Sequence, residues 1–265
     1  MLSDLSGVGQ NLWDQLIFST ATEINLPTQA QLITQPAALT EFHSSASGPF
    51  SSLNGMIAFE KIPQFLRSNF TEAAVTALAQ FPNDWPEVEY ATGTSVSPTG
   101  AGLGLIEAAL SAPVSRGNVT IAGPDISIPP VFNMAWLTDP ANADAQIAVA
   151  AFKRMRQAWN SIKNITLGPE LVPGPKVDSD DDILTYIRNV SIPLYHAGAT
   201  CAMGKKGDTN AVVDSHAWVL GVQGLRVVDM SAVPFTPPGH PQATVYMLAE
   251  KIADEILTRS TNIMS

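Results

Sequence analysis

The chain has 265 residues, enough for one large domain or two unequal ones, and its 45% hydrophobic content suffices for a sizeable core. Its 14 Lys and Arg against 24 Asp and Glu give a formal net charge of -10, which argues against nucleic acid or an anionic membrane as a partner, because both bind basic surfaces. No apolar run approaches the ~18 residues that a membrane span requires, and residues 1–10 lack the basic start and apolar stretch of a signal peptide.

The first half of the chain predicts loops and short strands. Residues 1–36 predict loops with short elements, and residues 37–55, rich in Ser, Gly and Pro, predict an irregular segment. Short strands are predicted over residues 56–59, 88–91 and 103–110, and a hairpin over 118–128 in which Gly-Pro-Asp forms the turn. Together these runs predict a mostly antiparallel sheet.

Helices are predicted around that sheet. Asp139 and Pro140 have the residue types of an N-cap and a first-turn proline, and Ser179 precedes three aspartates that suit a helix N-terminus. Near the end, residues 225–229 (LRVVD) predict a short buried strand, and a last helix is predicted from about Pro241. The inward-facing residues of the first and last helices are Ile147, Ala151, Met155, Ala158 and Ile162, then Val245, Leu248, Ala249, Ile252 and Ile256. The predicted fold class is α+β.

One glycine motif resembles a dinucleotide-binding fingerprint without completing it. In residues 99–110, TGAGLGLIEAAL, Gly100 and Gly102 are followed by Leu105 where the third glycine belongs. No convincing strand precedes them, so the interpretation we favour is a turn that leads into a strand. The chain then has no complete phosphate-cradling loop of its own.

The C-terminal part gathers residues that can carry chemistry. Asp229 follows the predicted strand, and His240 follows a proline-rich loop just before the last helix. The first N–H groups of that helix, at residues 242–244, have no intrahelical partners and carry the positive end of the helix dipole. His196 lies in a run of small residues, YHAGATCAMG, where an imidazole is either a proton acceptor or a packed polar side chain. His43 and His216 lie in polar loops and receive no role.

Cysteine and serine chemistry are not indicated. Cys201 is the only cysteine, so an internal disulfide and a zinc site made of thiolates are excluded, and no G-x-S-x-G motif occurs. No metal site is predicted. Four Asn-x-Ser/Thr sequons, at Asn69, Asn118, Asn164 and Asn189, leave a secreted parent open, so the compartment stays unknown.

Five segments in chain order resemble the glucose–methanol–choline family of flavin-dependent oxidoreductases. Residues 195–204 are similar to that family's Trp-His-x-x-Gly-Thr-Cys-x-Met-Gly stretch, with Tyr195 for the tryptophan and Ala199 for the glycine. Residues 6–15, SGVGQNLWDQ, resemble its Gly-Val-Gly-x-Asn-Leu-x-Asp-His motif, with Gln15 for the histidine. The other three are SRGNVTI (115–121), VQGLRVVDMSAVP (222–234) and GHPQATVYMLAEKIAD (239–254).

The resemblance implies a function and a set of site residues. It implies that FAD is the cofactor, that a small-molecule alcohol is the substrate, that His196 accepts the alcohol proton and that His240 is its partner. It also implies that six residues lie against the flavin: Tyr195, Asp229, Met230, Pro241, Gln242 and Thr244. The chemistry is consistent, since an alcohol gives up hydride readily only when its O–H is deprotonated, and neutral imidazole can do this.

The resemblance also implies a missing part. The family binds the adenosine and pyrophosphate of its flavin on an N-terminal Rossmann unit, and this chain matches the C-terminal half. The expected organisation is a flavin-domain or lid segment (1–39), an antiparallel-sheet substrate-binding domain flanked by helices (40–187), and an active-site loop, strand and helix that return to the flavin domain (188–265). We therefore expect weak or no flavin binding by this chain alone, and a separately encoded Rossmann half as a possible partner.

Two alternatives stay open. The segments DQLIFSTATEINLPT (14–28) and GHPQATVY (239–246) look most like family members of secondary-metabolite pathways, where the same histidines can shift protons in a cyclase or dehydratase without net redox change. The chain can also be an inactive truncated fragment. Residues 40–187 show no charged ligand cluster, which suggests an uncharged, partly aromatic or polyketide-like alcohol.

Overall fold

The computed structural model describes residues 3–52 and 55–264, with side chains in the last helix described to Thr258. The strands are β1 (Leu16–Ile24), β2 (Ile57–Glu60), β3 (Val88–Val96), β4 (Gly102–Leu110), β5 (Asn118–Thr120), β6 (Val131–Asn133), β7 (Thr166–Val172) and β8 (Ile192–Pro193). The helices are α1 (Gln29–Leu32), α2 (Pro36–Ser45), α3 (Glu72–Leu78), α4 (Ala143–Ser161), α5 (Asp180–Val190) and α6 (Gln242–Met264). Within this part of the chain no helix is both long and apolar enough to cross a membrane.

An antiparallel sheet organises the fold, with strand order β2-β3-β4-β1-β7 and β8 paired to the start of β1. The predicted strands are confirmed as β2, β3 and β4, with β3 longer than predicted. Of the two motif glycines, Gly100 lies in a turn at φ 86° and Gly102 begins β4, which agrees with the favoured interpretation of a turn that leads into a strand. The α+β class is therefore confirmed, with the antiparallel sheet flanked by helices.

The sequence analysis missed β1, which lies between two neighbours inside the sheet. Apolar alternation identifies a strand only where its inward side chains are apolar. Here Thr20 and Thr22 point into the interior, at 0% and 3% exposure, and Thr20 Oγ accepts a hydrogen bond from the Trp159 indole at 3.0 Å. A buried hydroxyl that makes a hydrogen bond costs little free energy of folding. Polar residues are therefore tolerated in this central strand, and its sequence lacks the apolar alternation that predicts a strand.

Two other predictions for local structure were wrong. Residues 37–55 are not irregular throughout, because Pro36 occupies the first turn of α2, which ends at Ala46 in the left-handed region (φ 50°). The second arm of the predicted hairpin is β6 rather than residues 126–128. The Asp125 carboxylate accepts the Ser127 N–H at 2.9 Å, and such a turn competes with a strand ladder.

The core lies between one face of the sheet and α4. Leu16, Phe18 and Ile106 from the strands pack with α4 side chains that include Phe152 and Met155. The predicted start of this helix was wrong: α4 begins at Ala143 with Asn142 as its N-cap residue, so Pro140 lies before the helix. The Asp139 carboxylate still accepts the Ala143 and Asp144 N–H groups, at 2.8 and 3.1 Å, from outside the helix. Ser179 caps α5 as predicted, accepting the Asp182 N–H at 3.1 Å.

The segment after β8 is mostly irregular until α6. Residues 225–229 form no strand, which corrects the prediction: Arg226 makes only an isolated bridge to Trp218, and Leu225 is 49% exposed. A strand needs a neighbour along its length, and none of the described strands lies beside these residues. In α6, Ile252 is buried as predicted, whereas Ile256 is 46% exposed and does not face inward.

Candidate active site

The two histidines singled out in the sequence lie side by side. His196 is on the loop that follows β8, and His240 directly precedes Pro241 and α6. Their ring centroids are 4.9 Å apart and the rings are nearly perpendicular, at 71°. Two imidazoles this close can contact one small oxygen-bearing group between or beside them.

His196 is held from the start of β1. Its Nδ1 lies 2.8 Å from the Gln15 side-chain oxygen, and its backbone N–H donates to the Asp14 carboxylate at 2.9 Å. The Gln15 amide nitrogen donates to the carbonyls of Ser111 and Pro237, at 2.9 and 3.4 Å, so only its oxygen is left to face the imidazole. Nδ1 therefore carries the hydrogen, and Nε2 of the neutral ring keeps its lone pair.

The electrostatics of the pair favour a neutral base at His196. Burial lowers the pKa of His196 below its ordinary value of 6.5, and the neighbouring His240 lowers it further. The ring is consequently unprotonated at neutral pH. Burial acts in the opposite sense on Asp14, raising the pKa of its carboxyl, although the backbone N–H groups of Gln15 and His196 partly offset this.

His240 is held from a different strand. Its Nε2 lies 2.8 Å from the carboxylate of Glu89, a 4% exposed residue of β3. The second carboxylate oxygen of Glu89 is buried and has no partner among the described residues. Each imidazole thus has one fixed acceptor: the amide oxygen of Gln15, just before β1, for His196, and the carboxylate of Glu89 in β3 for His240.

The loop that carries His196 has a constrained backbone. Tyr195 and Ala199, on either side of it, have φ values of 62° and 66°, in the region that favours glycine. Ala199 occupies the position at which the family motif has glycine. Its positive φ explains why the motif has glycine there. Between them, a Cβ on Gly198 would lie 3.0 Å from Met230 atoms, so this position accepts no larger side chain without movement.

An open cleft of about 620 Å³ lies beside the histidine pair. Six of the eight predicted site residues line it: Tyr195, His196, Met230, His240, Pro241 and Gln242. Aromatic surface is available there, since Tyr195 is 82% and Tyr246 is 64% exposed. Because α6 begins at this cleft, the unpaired N–H groups of its first turn give the cleft a positive end.

The other two predicted site residues do not line this cleft. Asp229 accepts the Ser231 N–H at 2.8 Å and caps the short 3₁₀ turn Met230–Ala232. Thr244 lies in the first turn of α6. The flavin contact proposed for these two residues stays a prediction.

Sequence reasoning missed the residues that hold the imidazoles. Gln15 had a signal, because it replaces the histidine of the resembled motif. Glu89 had none, since a glutamate inside an alternating strand is ordinarily solvent-facing. Of the residues given no role, His216 bonds Glu255 at 2.8 Å on the surface, and Cys201 is a partly buried free thiol.

Comparison with known proteins gives consistent results. The C-terminal family model described as GMC oxidoreductase matches residues 113–249, just over half of the chain. The dehydrogenase pkfF of Emericella nidulans is 44% identical, over 97% of this chain and 44% of its own length. Patulin synthase of Penicillium expansum is also 44% identical, over 97% of this chain and 43% of its own length. A solved FAD-dependent oxidoreductase from Chaetomium thermophilum superposes with a TM-score of 0.81 at 26% identity, covering 98% of this chain and 50% of that one. The chain therefore spans less than half the length of these curated relatives.

Proposed function

This chain belongs to the glucose–methanol–choline (GMC) oxidoreductase family, and we propose that it forms the catalytic C-terminal part of an FAD-dependent enzyme that oxidises an alcohol. The observation that carries the proposal is the histidine pair, with ring centroids 4.9 Å apart and each ring fixed by a buried acceptor. If both rings had only a structural role, nothing would explain why two imidazoles are held side by side at an open cleft.

The residues beside the pair fit a flavin. Exposed Tyr195 and Tyr246 and the half-buried Met230 offer a surface on which a planar aromatic ring can lie, and such exposed aromatic surface is ordinarily covered in a folded protein. Pro241 and Gln242 place the positive end of α6 at the same cleft, where it suits an electron-rich ring edge. When bound, FAD supplies the acceptor for the hydride. The sequence holds no complete glycine fingerprint for the pyrophosphate, so a Rossmann-type unit would have to complete the site.

The two imidazoles divide the work on the alcohol. Nε2 of His196 accepts the hydroxyl proton, which it can do at neutral pH because its lowered pKa keeps the ring unprotonated. His240 Nε2 donates to the Glu89 carboxylate, which leaves Nδ1 for the alcohol. When Nδ1 also carries a hydrogen, it donates to the alcohol oxygen and orients the carbon that loses hydride. The open cleft lets the remainder of the substrate extend past the pair.

Product mass tests the reaction. The protein that carries this chain is incubated with a panel of arylmethanols, and the products are weighed by mass spectrometry. We expect the loss of two hydrogens per molecule. Loss of water or an isomer of unchanged mass would contradict the proposal and favour the non-redox cyclase.

Flavin binding tests the completion of the site. The chain of 265 residues is titrated with FAD alone, then co-expressed with the sequence directly upstream in its genome. We expect weak or no binding in the first case and stoichiometric flavin absorbance in the second. Stoichiometric FAD on the chain alone would show that no Rossmann partner is needed, and no flavin in either case would favour an inactive fragment.

A further inference from the structure

One carboxylate beside the histidines has no part in the chemistry above. Glu107 lies on β4, where its cross-strand neighbours are Ala91 on β3 and Ser19 on β1. Directly opposed residues of antiparallel strands share a face of the sheet, and so do alternate residues of one strand. Glu107 is therefore on the same face as Ala109, which pairs with Glu89, the residue that binds His240.

The register fixes how near Glu107 is to the site. Glu89 and Glu107 are diagonal neighbours, a relation that places their Cα atoms about 7–8 Å apart. The row that contains Glu89 and Ala109 is buried, at 4% and 2% exposure, where His240 contacts Glu89 and Gly239 lies against Phe59. The next row, Ala91 and Glu107, is only half-buried. Glu107 thus lies in the row next to the one that His240 contacts.

Glu107 is desolvated without being paired. Burial raises the pKa of its carboxyl above the ordinary value of 4.5, and no neighbouring group opposes this shift. No hydrogen bond or ion pair connects it to the rest of the described chain. Glu23, further along the same face, differs: its carboxylate accepts from Ser97 and Thr99, each at 2.7 Å.

The surroundings leave space for a ligand. Ala91 and Ser19, the two cross-strand neighbours of Glu107, are small, so neither covers its side chain. Phe59, paired with Glu89, closes one end: its ring would come within 3.2 Å of a Cβ on Gly239, next to His240. Glu107 is therefore an unpaired hydrogen-bond acceptor on the same face of the sheet as Glu89, with small side chains directly opposite it on both neighbouring strands.

We propose that Glu107 is a specificity-determining residue that accepts a hydrogen bond from a second hydroxyl of the substrate, remote from the carbon that is oxidised. The inference rests on the proposed function for the identity of the reacting group. A hydroxyl fits better than an ammonium, because Glu107 lies half-buried among apolar side chains where a second full charge is costly to desolvate. The substrate class is an apolar, ring-containing alcohol with a further hydroxyl or phenol.

Ligand binding tests the proposal without requiring turnover. Dissociation constants of 3-hydroxybenzyl alcohol and of the similarly sized 3-methylbenzyl alcohol are measured by ligand-observed NMR. We expect the wild-type protein to prefer the hydroxylated probe about tenfold or more, as for a hydrogen bond to a charged group. Glu107→Leu should abolish this preference, and Glu107→Gln, which keeps an acceptor oxygen, should retain part of it.

Controls separate this result from general effects. Glu23→Leu removes a carboxylate from the same face, two rows along the sheet from Glu107, so it should leave the preference unchanged. Thermal unfolding shows whether each variant folds. Equal or undetectable binding of both probes to wild type, an unchanged preference in Glu107→Leu, or tighter binding of 3-(aminomethyl)benzyl alcohol than of the hydroxylated probe overturns the proposal. A wild-type preference, together with no loss of two hydrogens from any alcohol of the panel by the flavin-loaded protein, would overturn the proposed function and leave the role of Glu107 standing.

Discussion

The sheet with α4 and the C-terminal segment are built differently. In the first, strand residues such as Leu16 and Phe18 and helix residues such as Phe152 cover one another in a closed core. The second has a small cluster of buried residues (Val212, Val213, Val219 and Ala232) and leaves Tyr195 and Met247 at 82% and 67% exposure.

The two regions contribute different residues to the candidate site. The sparsely packed segment carries both imidazoles, whereas the closed region carries Gln15 and Glu89, which hold them. A side chain that takes part in a reaction has to be placed accurately, and residues of a rigid, well-packed region can hold it in place. The open surface beside the imidazoles is then left for ligands or a further domain.

Removing the base from the C-terminal segment should have the largest effect. His196→Ala in the flavin-loaded protein is expected to lower turnover by about 10²–10⁴, the usual loss for a general base. Stopped-flow measurement of alcohol oxidation checks this. Its matched control, His240→Asn, should be milder because an amide still bonds the alcohol oxygen, and an equal loss would mean that His240 shares the proton transfer.

The contrast in packing predicts unequal costs for two aromatic truncations. Phe152→Ala empties a 0% exposed position in the core and should lower the free energy of unfolding by about 3–5 kcal/mol. Tyr246→Ala, at a 64% exposed position beside the cleft, should change it by no more than about 0.5 kcal/mol. Urea unfolding of both variants is the measurement. A large loss for Tyr246→Ala would show that its surface is already covered in the chain alone.

The link between the regions can be cut at Gln15. Gln15→Leu leaves Nδ1 of His196 and the Ser111 carbonyl without their partner, so we expect a loss of about 1–3 kcal/mol in stability. Gln15→Glu instead puts a carboxylate at the imidazole, which favours the imidazolium form and raises the pKa of His196. The base is lost when it is protonated, so the acid limb of the kcat/KM profile should move to higher pH. An unmoved limb would contradict the role of His196.

How far sequence alone reaches also differs between the regions. In the sheet, runs rich in apolar residues identified β2, β3 and β4. The strand β1 was missed because Thr20 and Thr22 are buried polar residues among its inward side chains, and Trp159 satisfies the Thr20 hydroxyl. In the C-terminal segment, residues 225–229 have strand composition but no neighbour to pair with, and composition does not reveal partners.

The residues of the candidate site also fall into two groups, those that the sequence identified and those that it did not. His196 and His240 were found by their resemblance to family motifs, which record long-range proximity that local pattern does not contain. Glu89 and Glu107 were not, because each is a single glutamate in an alternating strand. Only the register of β3 against β4, and the contact of His240 with Glu89, distinguish them from solvent-facing residues.

One substitution made in both regions should give different results. Ala148→Gly in the middle of α4, at 0% exposure, loses a buried methyl group and adds backbone freedom to the unfolded chain, for a cost of about 1–2 kcal/mol. Ala199→Gly makes the same two losses but relieves a left-handed backbone at φ 66°, worth about 1–2 kcal/mol for a residue with a Cβ. The second variant should therefore be close to neutral, and chemical denaturation of the pair measures the difference. Equal destabilisation would mean that the His196 loop relaxes out of the left-handed conformation in solution, and the rigid placement of the base would then have to come from Gln15 and Asp14 alone.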